Sequence, residues 1–209
     1  MVDTADRTLI LTDVAALARS CGRCELSRGR TLAVPGEGDP NAEIMFIGEA
    51  PGWNEDQQGL PFIGAAGQFL NELLASISLD RSTVFITNIV KCRPPGNRDP
   101  LPDEIMACQP YLDTQIDTIN PLMIVTLGRY SMSKWFPNER ISRIHGQGRA
   151  FGERVVVPMY HPAAALHQAS LRATIEADFL KLPRFLYEAR EKKLAASDQP
   201  RPTVQNRLF

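Results

Sequence analysis

Residues 42–64, AEIMFIGEAPGWNEDQQGLPFIG, decide how the chain is read. The apolar run 42–47 has the length and composition of a buried strand. Gly48-Glu49-Ala50-Pro51-Gly52 then ends it in a tight turn carrying an acid. In open α/β sheets ligands sit just beyond the carboxyl ends of such strands. Two glycines let backbone N–H groups approach a flat ligand without side-chain obstruction. Glu55 and Asp56 follow, and Phe62 stands between Pro61 and Gly64. An aromatic in a Pro/Gly-rich loop beside a polar turn suits stacking on a planar ligand.

Outward from this stretch, three further runs read as strands: 82–90, 122–128 and 154–160, all apolar or β-branched. Helical spacing is expected over 8–27, 64–77, 102–119, 129–136 and 171–196, the last broken near Pro183. The prolines of 91–100 (KCRPPGNRDP) exclude helix and central strand there. Strands alternating with helices predict a single α/β domain, a three-layer αβα sandwich around a central four-stranded parallel sheet. The domain is expected over residues 1–195, and 196–209, without periodicity, is expected to be a disordered tail.

With 209 residues, 44% of them hydrophobic and 22% charged, the composition is that of an ordinary globular protein. No apolar run reaches membrane-spanning length and the N-terminus lacks a signal-peptide pattern, so a cytoplasmic protein is expected. A net charge of −1 excludes a global basic signature, and any nucleic-acid face must be a local patch.

The four cysteines point to metal or redox chemistry rather than disulfides. Cys21 and Cys24 form a CxxC, whereas Cys92 and Cys108 stand alone. Zinc sites usually pair two short knuckles, which this set lacks. Thiolates converging from a helical pair and a Pro-rich loop suit a [4Fe–4S] cluster better, with zinc or buried free thiols as the alternatives.

Taken together, CGRC, GEAPGWNEDQQGLPFIG, TNIVKCRPPGNRDP, Cys108 and MYHPAA resemble, in content and order, the family 4 uracil-DNA glycosylases, the iron–sulfur branch of that superfamily. The match spans about residues 21–187. The resemblance implies base-excision DNA repair: a uracil flipped out of single- or double-stranded DNA, its N-glycosidic bond hydrolysed, and an abasic site left. It implies that Cys21, Cys24, Cys92 and Cys108 hold a [4Fe–4S] cluster with a structural role. Glu49, Ala50 and Pro51 would line the uracil site, Phe62 would stack on the base, Asn88 would read its polar edge and His161 would face O2.

The chemistry suits those residues. A flipped base must be read through its edge. A fixed Asn amide donates to O4 and accepts from N3–H, a pattern that cytosine reverses. Cleavage builds negative charge on uracil, which a donor at O2 stabilises. Glu49 or Glu55 would stabilise the sugar cation or orient water, since Ala50 falls where better-known uracil glycosylases carry a catalytic Asp. Glu55 fits equally as a block to thymine's methyl group. Lys91, Arg93 and Arg98 are candidates for phosphate contacts. Leu166 and His167 are candidates for the wedge that fills the gap left by the flipped base. No basic insertion follows the second strand, which disfavours covalent trapping of DNA. Gln205, Leu208 and Phe209 resemble a QxxLF sliding-clamp peptide, and a monomer is expected. An iron–sulfur electron carrier and a non-catalytic binder of damaged DNA are the rival readings.

Overall fold

Strand β2 (Ile44–Gly48) is buried on every residue, and its side chains divide strictly by parity. Ile44 and Phe46 enter one hydrophobic cluster, Met45 and Ile47 the other. That period of two is what a strand imposes when both faces are covered. The computed structural model describes residues 3–197.

The sheet has six strands in the order β1-β3-β2-β4-β6-β5. Strands β3 (Phe85–Asn88), β2, β4 (Met123–Leu127) and β6 (Arg154–Met159) run parallel and form the expected four-stranded centre. Two short antiparallel strands, β1 (Glu37–Gly38) and β5 (Arg149–Phe151), extend it at the edges. Helices Ala65–Ser76, Ser170–Phe179 and Leu182–Ser197 cover one face. Helix Pro102–Ile119 covers the other and packs against the N-terminal helix Thr4–Arg19. This is the αβα sandwich expected, with a larger and mixed sheet.

Several boundaries differ. The first helix ends at Arg19, short of the cysteine pair, because Ser20 caps it by bonding back to Ala16 and Ala18. That frees Cys21-Gly22-Arg23-Cys24 to turn as a loop. Between the 48–52 turn and the loop that carries Phe62 lies a short helix that the sequence did not announce, Trp53–Gln58, started by Glu55 Oε2 accepting from Gly52 N–H. The 171–196 pattern is two helices that break between Phe179 and Leu182, near Pro183 as expected. The last helix runs past position 195, and the tail peptide with Gln205, Leu208 and Phe209 lies outside the described residues. Among the described residues no helix is long and apolar enough to cross a membrane.

Candidate functional site

All four parallel strands point their carboxyl ends at one edge of the sheet, and the loops leaving β2, β3 and β6 enclose a cleft of about 350 Å³ there. Glu49, Ala50, Pro51, Glu55, Phe62, Asn88, Arg98, His161 and His167 all line it. Gly52, Ala66, Pro94, Asn97 and Ala163 line it too, though nothing in their residue type announced it.

Asn88 pairs in register with Gly48 at the end of the sheet. A Cβ at Gly48 would lie 2.3 Å from Asn88 Oδ1 and 2.5 Å from Phe62 Cζ, so only glycine lets amide and aromatic meet. Asn88 is 2% exposed, and among the described residues its Oδ1 has no hydrogen-bond partner. A buried acceptor left unpaired costs about 1–3 kcal/mol. Here it stands beside a ligand-sized cleft, which is where an acceptor awaiting a donor belongs.

His161 caps the short helix Pro162–His167, and its Nδ1 accepts from Ala163 N–H at 3.1 Å. The accepting Nδ1 leaves the proton of the neutral ring on Nε2. Burial holds His161 down to about 4, with Glu55 pulling weakly the other way, so the ring is a neutral donor near pH 7. Its ring stacks against Phe62.

The two acids differ. Glu55 is fully used: Oε1 accepts from Ile63 and Gly64 N–H at 2.9 and 2.8 Å, and Oε2 from Gly52 N–H at 3.1 Å. It staples the two ends of the 52–64 loop. The Glu49 carboxylate accepts no hydrogen bond among the described residues, although its backbone carbonyl accepts from Val90 N–H at 3.2 Å. Burial first, then the charge of Asp99, raise it to about 7 against the pull of Arg129.

The phosphate candidates divide. Lys91 is 1% exposed, and its Nζ donates to Thr87 Oγ1, Asn88 O and Gln115 Oε1 at 2.6, 2.8 and 2.8 Å. This corrects the expectation that Lys91 holds DNA phosphates, because an ammonium sunk among three acceptors cannot reach solvent. Burial brings it down to about 8. Arg93 Nε donates to Asn97 Oδ1 at 2.6 Å and shapes the loop lining the cleft. Arg98 forks onto Glu104 at 2.9 and 2.6 Å. Leu166 is 50% exposed at the rim, next to His167.

Away from the cleft lining, Cys21, Cys24, Cys92 and Cys108 line one small cavity. Arg30 Nη1 donates to Cys92 Sγ at 2.9 Å, Lys91 N–H to Cys108 Sγ at 3.2 Å and Arg23 N–H to Cys21 Sγ at 3.5 Å. Such N–H···S bonds orient sulfur ligands. Burial pushes the Cys108 thiol up to about 11. Among the described residues no group of three or more His, Cys, Asp or Glu is drawn tightly enough to hold a single ion. Arg30 and Tyr111, which help to wall this cavity, carried no signal in the sequence.

Residues 35–184 match the family model of the uracil DNA glycosylase superfamily. The chain is 54% identical to the type-4 uracil-DNA glycosylase of Sulfurisphaera tokodaii, over 78% of this chain and 79% of that protein. It is 46% identical to that of Archaeoglobus fulgidus over 82% and 91%. With that of Thermotoga maritima it shares 38% over 86% and 96%.

Proposed function

The chain belongs to the uracil-DNA glycosylase superfamily and, within it, to the type-4 enzymes, and on that premise we propose how its cleft removes uracil. It is a monofunctional glycosylase that hydrolyses the N-glycosidic bond of uracil in DNA, the opening step of base excision repair.

One observation carries the assignment of the base reader: the buried, partnerless Asn88 Oδ1 at the cleft wall. There it accepts from uracil N3–H while its amide N–H₂ donates to O4. Cytosine offers an acceptor where Oδ1 needs a donor, and the buried amide is then left unpaired, which is a strong basis for rejection. Phe62 gives the base its stacking face, worth about 1–3 kcal/mol. His161 Nε2–H meets uracil O2 and stabilises the charge that collects there as the bond to the sugar breaks. Being neutral, it needs no prior protonation.

Glu49 is the acid with lone pairs to spare. As a carboxylate it faces the sugar cation and takes a proton from the attacking water. Glu55, its oxygens committed to three amides, holds the loop that presents Phe62. Arg98 and Asn97 at the cleft mouth, with Leu166 and His167 at the rim, are the groups placed to meet DNA.

What supports a [4Fe–4S] cluster in the cysteine cavity is that all four cysteines wall it and that three of their sulfurs receive N–H donors. Cys21, Cys24, Cys92 and Cys108 would hold it. The group would supply cross-linking, tying the 21–24 loop to the end of β3 and to helix Pro102–Ile119. A cytoplasmic location accords with work on DNA.

The test is cleavage of an oligonucleotide with one central uracil, with thymine and cytosine controls, by wild type and Asn88→Ala. Uracil-specific scission that collapses in the variant supports the reading. Undiminished scission by Asn88→Ala removes Asn88 as the reader.

A further inference from the structure

Phe62 holds φ at 51°, in the left-handed region that a bulky aromatic avoids. Such a conformation persists only where the surroundings over-determine it. One side chain holds both carbonyls of the turn. Arg81, between helix Ala65–Ser76 and β3, donates from Nη2 to Pro61 O at 2.7 Å and from Nη1 to Phe62 O at 3.1 Å. The same guanidinium is held in turn by Glu37 Oε1 at 2.6 Å and Asn71 Oδ1 at 3.2 Å. Glu37 belongs to the edge strand β1, so the sheet's margin is tied to the aromatic loop.

From the opposite side Glu55 accepts the N–H groups of Ile63 and Gly64. The loop is therefore gripped by its carbonyls at 61–62 and by its amides at 63–64. The turn also needs room behind it: a Cβ at Gly67 would lie 1.8 Å from Phe62 O. Arg81 does not itself line the cleft.

We infer that Arg81, anchored by Glu37, is a positioning residue for base recognition, acting through Phe62 by fixing the backbone that aims its ring. The inference rests on the reading of Phe62 as the stacking face. The planar fork of Arg81 gives Nη2 to Pro61 O and Glu37 Oε1 and Nη1 to Phe62 O and Asn71 Oδ1, four acceptors where an ammonium has only three protons.

The experiment compares wild type, Arg81→Met, Arg81→Lys, Glu37→Gln, Phe62→Leu and the Arg81→Met/Phe62→Leu double variant. Single-turnover uracil excision and amide exchange at Ile63 and Gly64 are both measured. Arg81→Met is expected to slow excision about tenfold, the equivalent of losing part of one base–aromatic stack. Glu37→Gln and Arg81→Lys should fall between it and wild type. In the Phe62→Leu background, Arg81→Met should add no further loss, the non-additivity of two residues acting as a unit. Exchange at Ile63 and Gly64 should quicken while that at Val125 in the central sheet stays slow. Additive losses, or unchanged exchange at Ile63 and Gly64 in every folded variant, would overturn the inference. If wild type fails to excise uracil the functional reading falls, and the exchange arm still decides whether Arg81 grips the loop.

Discussion

The rings of Phe62 and His161 face each other with centroids 5.4 Å apart and planes 25° from parallel. A base sandwiched between two rings needs about 7 Å, twice a contact distance of ~3.5 Å. On the proposed reading, uracil therefore takes Phe62 by the face and His161 by the edge. Replacing His161 with Ala should lower single-turnover cleavage by roughly 10²–10³-fold. Inhibition by free uracil should weaken far less, because the stacking face survives. A parallel collapse of both would make His161 a packing group.

Asn88 offers a test that separates reading from folding. Its unpaired Oδ1 is an energetic liability in the free protein. Asn88→Ala should therefore lose uracil cleavage while keeping the melting temperature within a few degrees of wild type, or above it. A large drop in thermal stability would show the amide to be structural instead.

The pH profile follows from Glu49. Burial, then Asp99, raise it to about 7, so the carboxylate forms as pH passes through neutrality. Cleavage should rise through about pH 7 to a plateau. Glu49→Gln should give a low, flat profile. Asp99→Asn should move the midpoint down and Arg129→Ala should move it up. His161, at about 4, adds no limb in this range. Stability carries the opposite sign: a raised carboxyl favours the fold below its ordinary 4.5 and loses that contribution as pH climbs through 7. Glu49→Gln should gain on wild type by about 1 kcal/mol at pH 8 relative to pH 4, a figure reduced for partial exposure. Denaturant melts at the two pH values check this.

Lys91 and Arg93 are neighbours in the chain with opposite fates. Lys91→Met removes the donor shared by Thr87 Oγ1, Asn88 O and Gln115 Oε1, of which Gln115 Oε1 keeps Thr87 Oγ1 at 3.3 Å, and unfolding should become easier by about 2–4 kcal/mol. The slope of log Kd for DNA against log salt should stay the same, since no phosphate contact is lost. A slope reduced by about one would restore Lys91 as a phosphate ligand.

That pair also shows where sequence reading stops. The central strands were legible because parallel strands buried on both faces must be continuous apolar runs, as 42–47 and 122–128 are. β1 and β5 were not, because two or three exposed or half-exposed residues at an edge are chosen by register with β3 and β6 rather than by composition. Trp53–Gln58, WNEDQQ, has no apolar stripe, and its helix depends on Glu55 reaching Gly52. Phe62, Asn88 and His161 stood out because each is an odd residue at the end of a strand or in a turn. The burial of Lys91 depends on Gln115, 24 residues away. The grip of Arg81 depends on Glu37, 44 residues back. No local pattern reports a partner so distant.

The residues that line the cleft run in the chain from Glu49 to His167, and they follow β2, β3 and β6 in that order. A ribosome thus delivers Phe62 and Asn88 well before His161, which arrives only after the last parallel strand has been made. On the proposed reading, a chain stopped before β6 has been made carries the residues that stack on and read the base and lacks the donor that speeds its departure.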